Sequence, residues 1–547
     1  MRKKQGSTKD TATPSAKTKN KKCPKCKRHA LRKDGFTPSG KQRWACSRRR
    51  DGDRVLCYST TDPDAPYRDQ GSAAKEPDEN PRFARKLSGI KRFIITSAQN
   101  ATPIHDGFFA SLMNYCDYNE AELVVIPLRY KNVTSRWPQS QENAEVWDTA
   151  LAPYLYNQRK KLNENLVLVG DVKTQPTAMS PLSRFDSLTG PESGIIGHTK
   201  IQMKTIAVPA GRYPKILMTT GACTVKNYTD TKAGKVGEFH HSLAAVVVEI
   251  IGKKFFVRHV IGTQDGSFID LQREYTPSGV ATADPALALV FGDTHRAFID
   301  KKVEKVTYAP GGMVDVLNPE HLVFHDLHDG YARNPHHRAN PFNEIAKRTA
   351  SMHDVKCEVI EDVMWLARVI GKRKGIVVSS NHDDFFSRWI LDCDWRRDPD
   401  NADFYLETAL EMVRSVKMTE SGTSYVDPFV YWVEKLKGTA PIRCLGRDES
   451  FTLGGVELSL HGDQGPNGSR GSRTNLRRIG VKTIVGHSHS PGIEEGCYQS
   501  GTSTPLKLEY NTGPSSWLQA HVVLYANGKR AILPIIDGQW CFDDSRK

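Results

Sequence analysis

Ligand-type side chains recur in this chain just past short apolar runs. "ALALVFGDTHR" carries Asp293 and His295, "HLVFHDLHDG" carries Asp326, His328 and Asp329, and "GIVVSSNHDD" carries Asn381, His382 and Asp383. Further on, "VELSLHGDQG" carries His461 and Asp463, and "VKTIVGHSHSP" carries His487 and His489. Each run has the length and composition of a strand. Open α/β sheets place their sites at the carboxyl ends of strands, so these ends can share one site. In an extended segment, residues i and i+2 point to one side, which lets His487 and His489 reach into one volume. A single histidine of this kind is more often a loop residue than a ligand; five strand ends together outweigh that reading. Imidazole, carboxylate and amide oxygen in one site suit manganese, iron or zinc. A shared carboxylate can bridge two ions roughly 3.5–4 Å apart, and such a pair activates water and clamps a phosphate for in-line attack.

The order of these residues resembles the calcineurin-like metallophosphoesterase family, DNA-repair nucleases among them. Its pattern is D-x-H, GD-x-x-D, GNH-D/E, H and GH-x-H. It is matched by Asp293-Thr-His295, Asp326-Leu-His-Asp329, Asn381-His382-Asp383, His461 and His487-Ser-His489. His325 and Ser380 stand where the family has glycines. The resemblance covers roughly residues 286 to 540 and implies a β-sandwich flanked by helices. It implies that Asp293, His295, Asp326 and His489 hold one divalent ion. Asp326, Asn381, His461 and His487 would hold the other. Manganese is the first expectation, with magnesium, iron and zinc as alternatives. His382 would protonate the leaving oxygen or steady the phosphate charge, with Asp383 orienting it.

A second centre is expected near the N-terminus. Cys23 and Cys26 form a CxxC pair, and Cys46 and Cys57 supply two more thiols, a set suited to one structural zinc. A segment this short draws much of its folding energy from the metal. The stretch resembles the zinc ribbons of insertion-element transposases, which implies DNA contact; Arg43, Arg48, Arg49 and Arg50 are the candidate contacts. Residues 1 to 58 hold 19 Lys+Arg against 4 Asp+Glu, so they carry the whole net charge of +15. Concentrated basic charge is the electrostatic footprint of a nucleic-acid binder, whereas a solvated basic tail would bind nothing specific.

The elements around these centres divide the chain. Residues 1–20 are expected to be disordered, 21–58 to form the ribbon and 59–88, rich in Pro and Asp, to be a linker. Strand-like runs such as "RFIITSA", "AELVVIPL" and "LAAVVVEIIGKKFFVRHVI", with a helix at "DGFFASLMNYC", make 89–285 a separate α/β domain of unassigned role. Its His240 and His241 are adjacent, so a strand would turn them to opposite faces. Residues 286–547 make the metallophosphoesterase domain, with a helical insertion at 384–440 and a closing hairpin at "ANGK".

No run of the chain reaches membrane-spanning length, no signal peptide is visible and the cysteines lack a disulfide framework. These features point to the cytoplasm, that of a bacterial host if the chain is phage-encoded. The overall organisation also resembles the DNA-transfer proteins of tailed phages. The leading expectation is a nuclease acting on DNA in host DNA degradation or DNA transfer. A phosphatase or nucleotide phosphodiesterase is the alternative, and a non-enzymatic DNA-binding or transfer protein the third. A homo-oligomer is implied by the pairing habit of related DNA-repair nucleases.

Overall fold

The computed structural model divides into two compact units, Met1–Pro81 and Arg82–Lys547. It describes residues 21–23, 26–36, 41–47, 49–50, 53–54 and 59–60 of the first, and 86–129, 145–420, 422–509 and 511–541 of the second. The first unit contains an antiparallel pair, β1 (Leu31–Phe36) and β2 (Gln42–Cys46), with Ser59–Thr60 added to β2. The expected tail at 1–20 and most of the linker lie outside the described residues.

The second unit is mixed α/β. Its first sheet holds β3 (Arg92–Gln99), β4 (Glu122–Leu128), β5 (Ala244–Ile251) and β6 (Lys254–Ile261) in the order β6-β5-β3-β4. Helix α1 (Asp106–Asn119) links β3 to β4, which pair in parallel as a crossover connection requires. The long apolar run at 244–261 folds back on itself at Gly252, whose φ of 59° suits glycine.

A six-stranded sheet follows. It holds β7 (Ala288–Val290), β8 (His321–Phe324), β9 (Lys374–Val378), β10 (Ile442–Leu445), β11 (Ala520–Leu524) and β12 (Arg530–Pro534), in the order β10-β9-β8-β7-β11-β12. β7 to β10 run parallel, and β11–β12 close the edge as a hairpin over "ANGK". Alternate residues of this sheet face opposite ways, as strand geometry demands. Val290, Val323 and Ile376 join a core shared with the other sheets, while Leu289, Leu322 and Val377 join a core with the helices. That helical layer contains α2 (Val355–Ile370), α3 (Asp383–Asp392), α4 (Ala402–Ser415) and α5 (Pro428–Leu436). The last three make up most of the expected insertion.

One expectation needs correction. Residues 89–285 are not a domain separate from 286–547. The strand Gln202–Ile206 pairs with Gly492–Glu494 inside a single ten-stranded sheet that draws on both segments. One core also joins Phe93, Val246 and Ile216 to Val290, Ile484 and Val522. The burial of that shared face makes Arg82–Lys547 one unit. His240 also departs from expectation: it ends the helix Lys232–His240 and does not lie in a strand.

Candidate metal centre

The five strand ends converge. Asp293 and His295 follow β7, Asp326 to Asp329 follow β8, and Asn381 to Asp383 follow β9. His461 comes from the segment after the strand Val456–Glu457, and the pair His487 and His489 from the loop after the strand Lys482–Val485. Every carried-over ligand lies in one of two adjoining groups. In the first, His489 Nε2 is 3.1 Å from Asp293 Oδ2 and 3.2 Å from His295 Nε2, and His295 Nε2 is 3.6 Å from Asp326 Oδ2. In the second, His461 Nε2 is 3.3 Å from Asp326 Oδ2 and 3.1 Å from Asn381 Oδ1; His487 Nδ1 is also 3.1 Å from Asn381 Oδ1. Asp326 Oδ2 belongs to both groups, which is the position of a bridge.

The donor set fits cations. His295 Nδ1 lies 2.7 Å from Asp329 Oδ1, so it carries the proton and turns the lone pair of Nε2 toward His489 and Asp326. Among the described residues, buried Asp326 Oδ1 has no hydrogen-bond partner, and buried Asp293 Oδ2 has only the ion-pair contact with His489. Inward-facing lone pairs and unsatisfied buried carboxylate oxygens are costly without a positive charge among them. Burial pushes the Asp326 carboxyl up, but His461, His382 and His295 outweigh it and hold it well below its ordinary range. Asp293 is lowered in the same way, burial being outweighed chiefly by His489.

The backbone is strained at the same place. His295, Asp326, His487 and His489 adopt φ of 39°, 44°, 77° and 55°. Left-handed conformations in residues other than glycine cluster at functional sites, where the surrounding structure enforces them. The values also correct the picture of an extended His487–His489 segment. The two rings reach different groups because the chain turns past the strand end.

Asp329 takes the role expected of Asp383. The His382 Nδ1 atom sits 3.2 Å from the Asp329 carbonyl and 3.4 Å from its Oδ1. Asp383 opens α3, and its Oδ2 accepts from the Ser380 backbone N–H while the Ser380 hydroxyl accepts from the Asp383 N–H. Its carboxylate therefore fastens the Ser380–Asp383 turn and does not orient His382. Burial, then Asp427, push Asp383 up to about 7. Burial opposes charge on His382, but Asp326 and Asp329 outweigh it and raise that imidazole to about 10. The histidine at the first glycine position, His325, places Nδ1 3.4 Å from His461 Nδ1, and burial holds it down to about 4.

Sequence reasoning named His328 without a role and passed over Glu358 and Asp362. His328 Nδ1 is 2.7 Å from Asp362 Oδ2, and Glu358 accepts the backbone N–H groups of Tyr331 and Ala332. Both acids come from α2 and brace the loop that carries Asp329. Trp517 was also missed; its ring meets that of His489 edge-on at 4.2 Å. Only distant pairing places these residues, so no local signal marks them.

In the first unit, Cys23, Cys26 and Cys46 bring their sulfurs within 4.8 Å of one another, with Cys26 Sγ 3.7 Å from Cys46 Sγ. The His29 backbone N–H, against burial, lowers the Cys26 thiol to about 5, so it is ready to act as a thiolate ligand. Cys57 and Arg48 lie outside the described residues. Arg43 lies in β2, and Arg49 and Arg50 form a short strand.

The chain is 33% identical to protein A1 of Escherichia phage T5 over 493 residues, 85% of this chain and 86% of that protein. No family model and no solved structure matches it. Likeness at this level over nearly the whole of both proteins places them in one family: this chain belongs to the family of phage T5 protein A1.

Proposed function

We propose that the protein is a two-metal phosphodiesterase that cuts DNA, serving a phage in host DNA degradation or DNA transfer. The single observation that carries this reading is the pair of adjoining donor groups that share Asp326 Oδ2. Asp293, His295, Asp326 and His489 would hold one divalent ion, manganese first, and Asp326, Asn381, His461 and His487 the other. When bound, such ions supply Lewis acidity and an activated water for attack on phosphorus. The layering of the six-stranded sheet between helices and a second sheet supports the metallophosphoesterase fold.

The chain's own groups would do the rest. The contacts of His382 Nδ1 with Asp329 fix its ring and leave Nε2 as the atom that can meet substrate. A ring held protonated can pass a proton to the leaving oxygen or steady charge on the phosphate. Bound cations would draw its value down from about 10 toward the working range. The cysteine cluster would hold a structural zinc, and the basic segment around it would keep a polyanion near the cleft. Kinship with a phage protein supports a setting in the host cytoplasm, and among the described residues no helix is long and apolar enough to cross a membrane.

The test is cleavage of long double-stranded DNA by the purified chain with manganese, magnesium or chelator, beside Asp326→Ala. Metal-dependent cutting that vanishes in the variant is the expected result. Turnover of a small chromogenic phosphodiester without any cutting of DNA would transfer the reading to a phosphodiesterase of another substrate. No turnover of either would end it.

A further inference from the structure

A cavity of about 380 Å³ opens at the end of the six-stranded sheet away from the metal centre. Lys529 lines it from the turn between β11 and β12. That turn follows Leu524, which pairs with Ala288 at the start of β7, whereas Asp293 follows the end of β7. The other walls come from the first segment of the unit: the start of α1, the stretches 225–226 and 241–243, and the end of β6 with the residues after it. A volume of this order suits a small organic molecule and far exceeds a single water.

The lining selects the occupant. Among the described residues no carboxylate lines the cavity, and neither Lys226 nor Lys529 has an ion-pair partner for its ammonium. Lys529 is half-buried, and burial, then Lys482, Arg530 and Lys226, lower its amine below the ordinary range. Positive charge that is partly desolvated and crowded by like charge is relieved by an anion. Asp265, next to Gln264 in the chain, does not supply it, because its carboxylate already takes the hydroxyls of Thr263 and Ser267. His105 and His241 are engaged too, each ring nitrogen having a partner within the fold. Beside the lysines stands an apolar wall of half-buried Val225, Leu243 and Ile261. We infer that the cavity binds a small phosphate monoester, with its phosphate at Lys226 and Lys529 and its organic part against that wall. A phosphate monoester carries about two negative charges near neutral pH, which two ammonium groups match. Free phosphate would satisfy the lysines and leave the apolar wall in water, whereas a nucleoside monophosphate uses both. A DNA backbone is a poorer match, since it is held by many cations spread along a surface and not by two at one concavity. The inference is independent of the chemistry at the metal centre.

Isothermal titration of the full chain with deoxyadenosine 5′-monophosphate, without added divalent ions, tests it. Saturable binding is the expected result. Lys529→Ala and Lys226→Ala should each weaken it roughly tenfold or more, and Lys529→Arg should recover most of the loss. Both lysines reach water, so the variants should keep the parent's circular dichroism spectrum and melting temperature when no nucleotide is present. Inorganic phosphate should bind more weakly than the nucleotide, and deoxyadenosine should not compete with it. The absence of saturable binding overturns the inference. Binding that both lysine variants leave unchanged also overturns it, because the nucleotide would then sit elsewhere, the metal centre included. So does inorganic phosphate that binds as tightly as the nucleotide, which would leave the apolar wall without a role. Displacement of the nucleotide by a short DNA duplex at equal phosphate concentration would overturn it as well and reassign the lysines to the DNA backbone.

Discussion

Gly486 gives the sharpest test of the metal centre, because adding one methyl there attacks it from the side. A Cβ at this position would lie 2.2 Å from Asp293 Oδ1 and 3.0 Å from Cβ and Cγ of His325. Ordinary contacts begin at 3.4 Å, so the carboxylate oxygen would have to retreat by more than an ångström. It has nowhere to go. Asp293 is fully buried, its Oδ1 accepts the His487 N–H at 3.0 Å, and its Oδ2 sits 3.1 Å from His489 Nε2. The Gly486 peptide cannot yield either, since its N–H donates to His461 O at 2.7 Å and its carbonyl accepts from Gln499 Nε2 at 2.6 Å. Gly486→Ala should therefore displace Asp293 or His487. Overpacking of this kind costs about 1–3 kcal/mol. A misplacement of about 1 Å at a catalytic site costs on the order of 100-fold in rate. The assay is metal content after dialysis, measured by mass spectrometry, together with DNA cleavage and thermal melting. Gly496→Ala is the control, because a Cβ there meets nothing closer than 3.7 Å. If Gly486→Ala kept the parent's metal content and rate, the placement of Asp293 in the first donor group would be refuted.

Other perturbations separate the roles. His382→Ala should lower turnover roughly 100- to 10,000-fold with metal content intact, and equal loss of metal would make His382 a ligand. Asp329→Asn should lower turnover roughly 10- to 100-fold through His382 and His295, while Asp383→Asn should act mainly on stability. The reverse order in steady-state kinetics would reinstate Asp383 as the orienting group. Burial holds His198, His241 and His259 down to about 4 from 6.5. The unfolded chain binds those protons first, so stability is full above pH 6.5 and is lost as pH falls toward 4. The effect is up to roughly 3 kcal/mol per group. Denaturant melts should fall steeply between pH 6.5 and 5 and fall less steeply in His259→Gln, where two of the three groups remain; a level profile in the parent chain would contradict the assignment. Deleting residues 1 to 58 should weaken DNA binding and reduce its salt slope, and an unchanged slope in a filter-binding titration would move the electrostatic anchor elsewhere.

The convergence of the candidate site residues was legible because their signal is local. Each follows a strand-length apolar run, and an acid, amide or imidazole in such a place has few structural reasons to be there. The helices α3 and α4 were legible for the same reason, since their apolar spacing is written within a few turns. The fusion of the two segments was not. It depends on Gln202 meeting Glu494 and Met203 meeting Ile493 across nearly three hundred residues, and neither strand announces its partner.

The exchange of Asp383 for Asp329 shows where reading by motif stops. Both acids stand near His382 in sequence or in space, and both belong to the matched pattern. Which one turns toward the ring is decided by the backbone. Asp383 begins a helix and exchanges hydrogen bonds with Ser380 three residues back: its carboxylate accepts the Ser380 N–H and its N–H donates to the Ser380 hydroxyl, the reciprocal pattern of a capping box. Asp329 instead leaves a loop whose N–H groups at Tyr331 and Ala332 are already taken by Glu358 from α2. With that loop braced, the Asp329 carboxylate is left to His295 on one side and His382 on the other. One residue thus couples the His295 ring to the His382 ring, so a change at Glu358 should reach both without touching either.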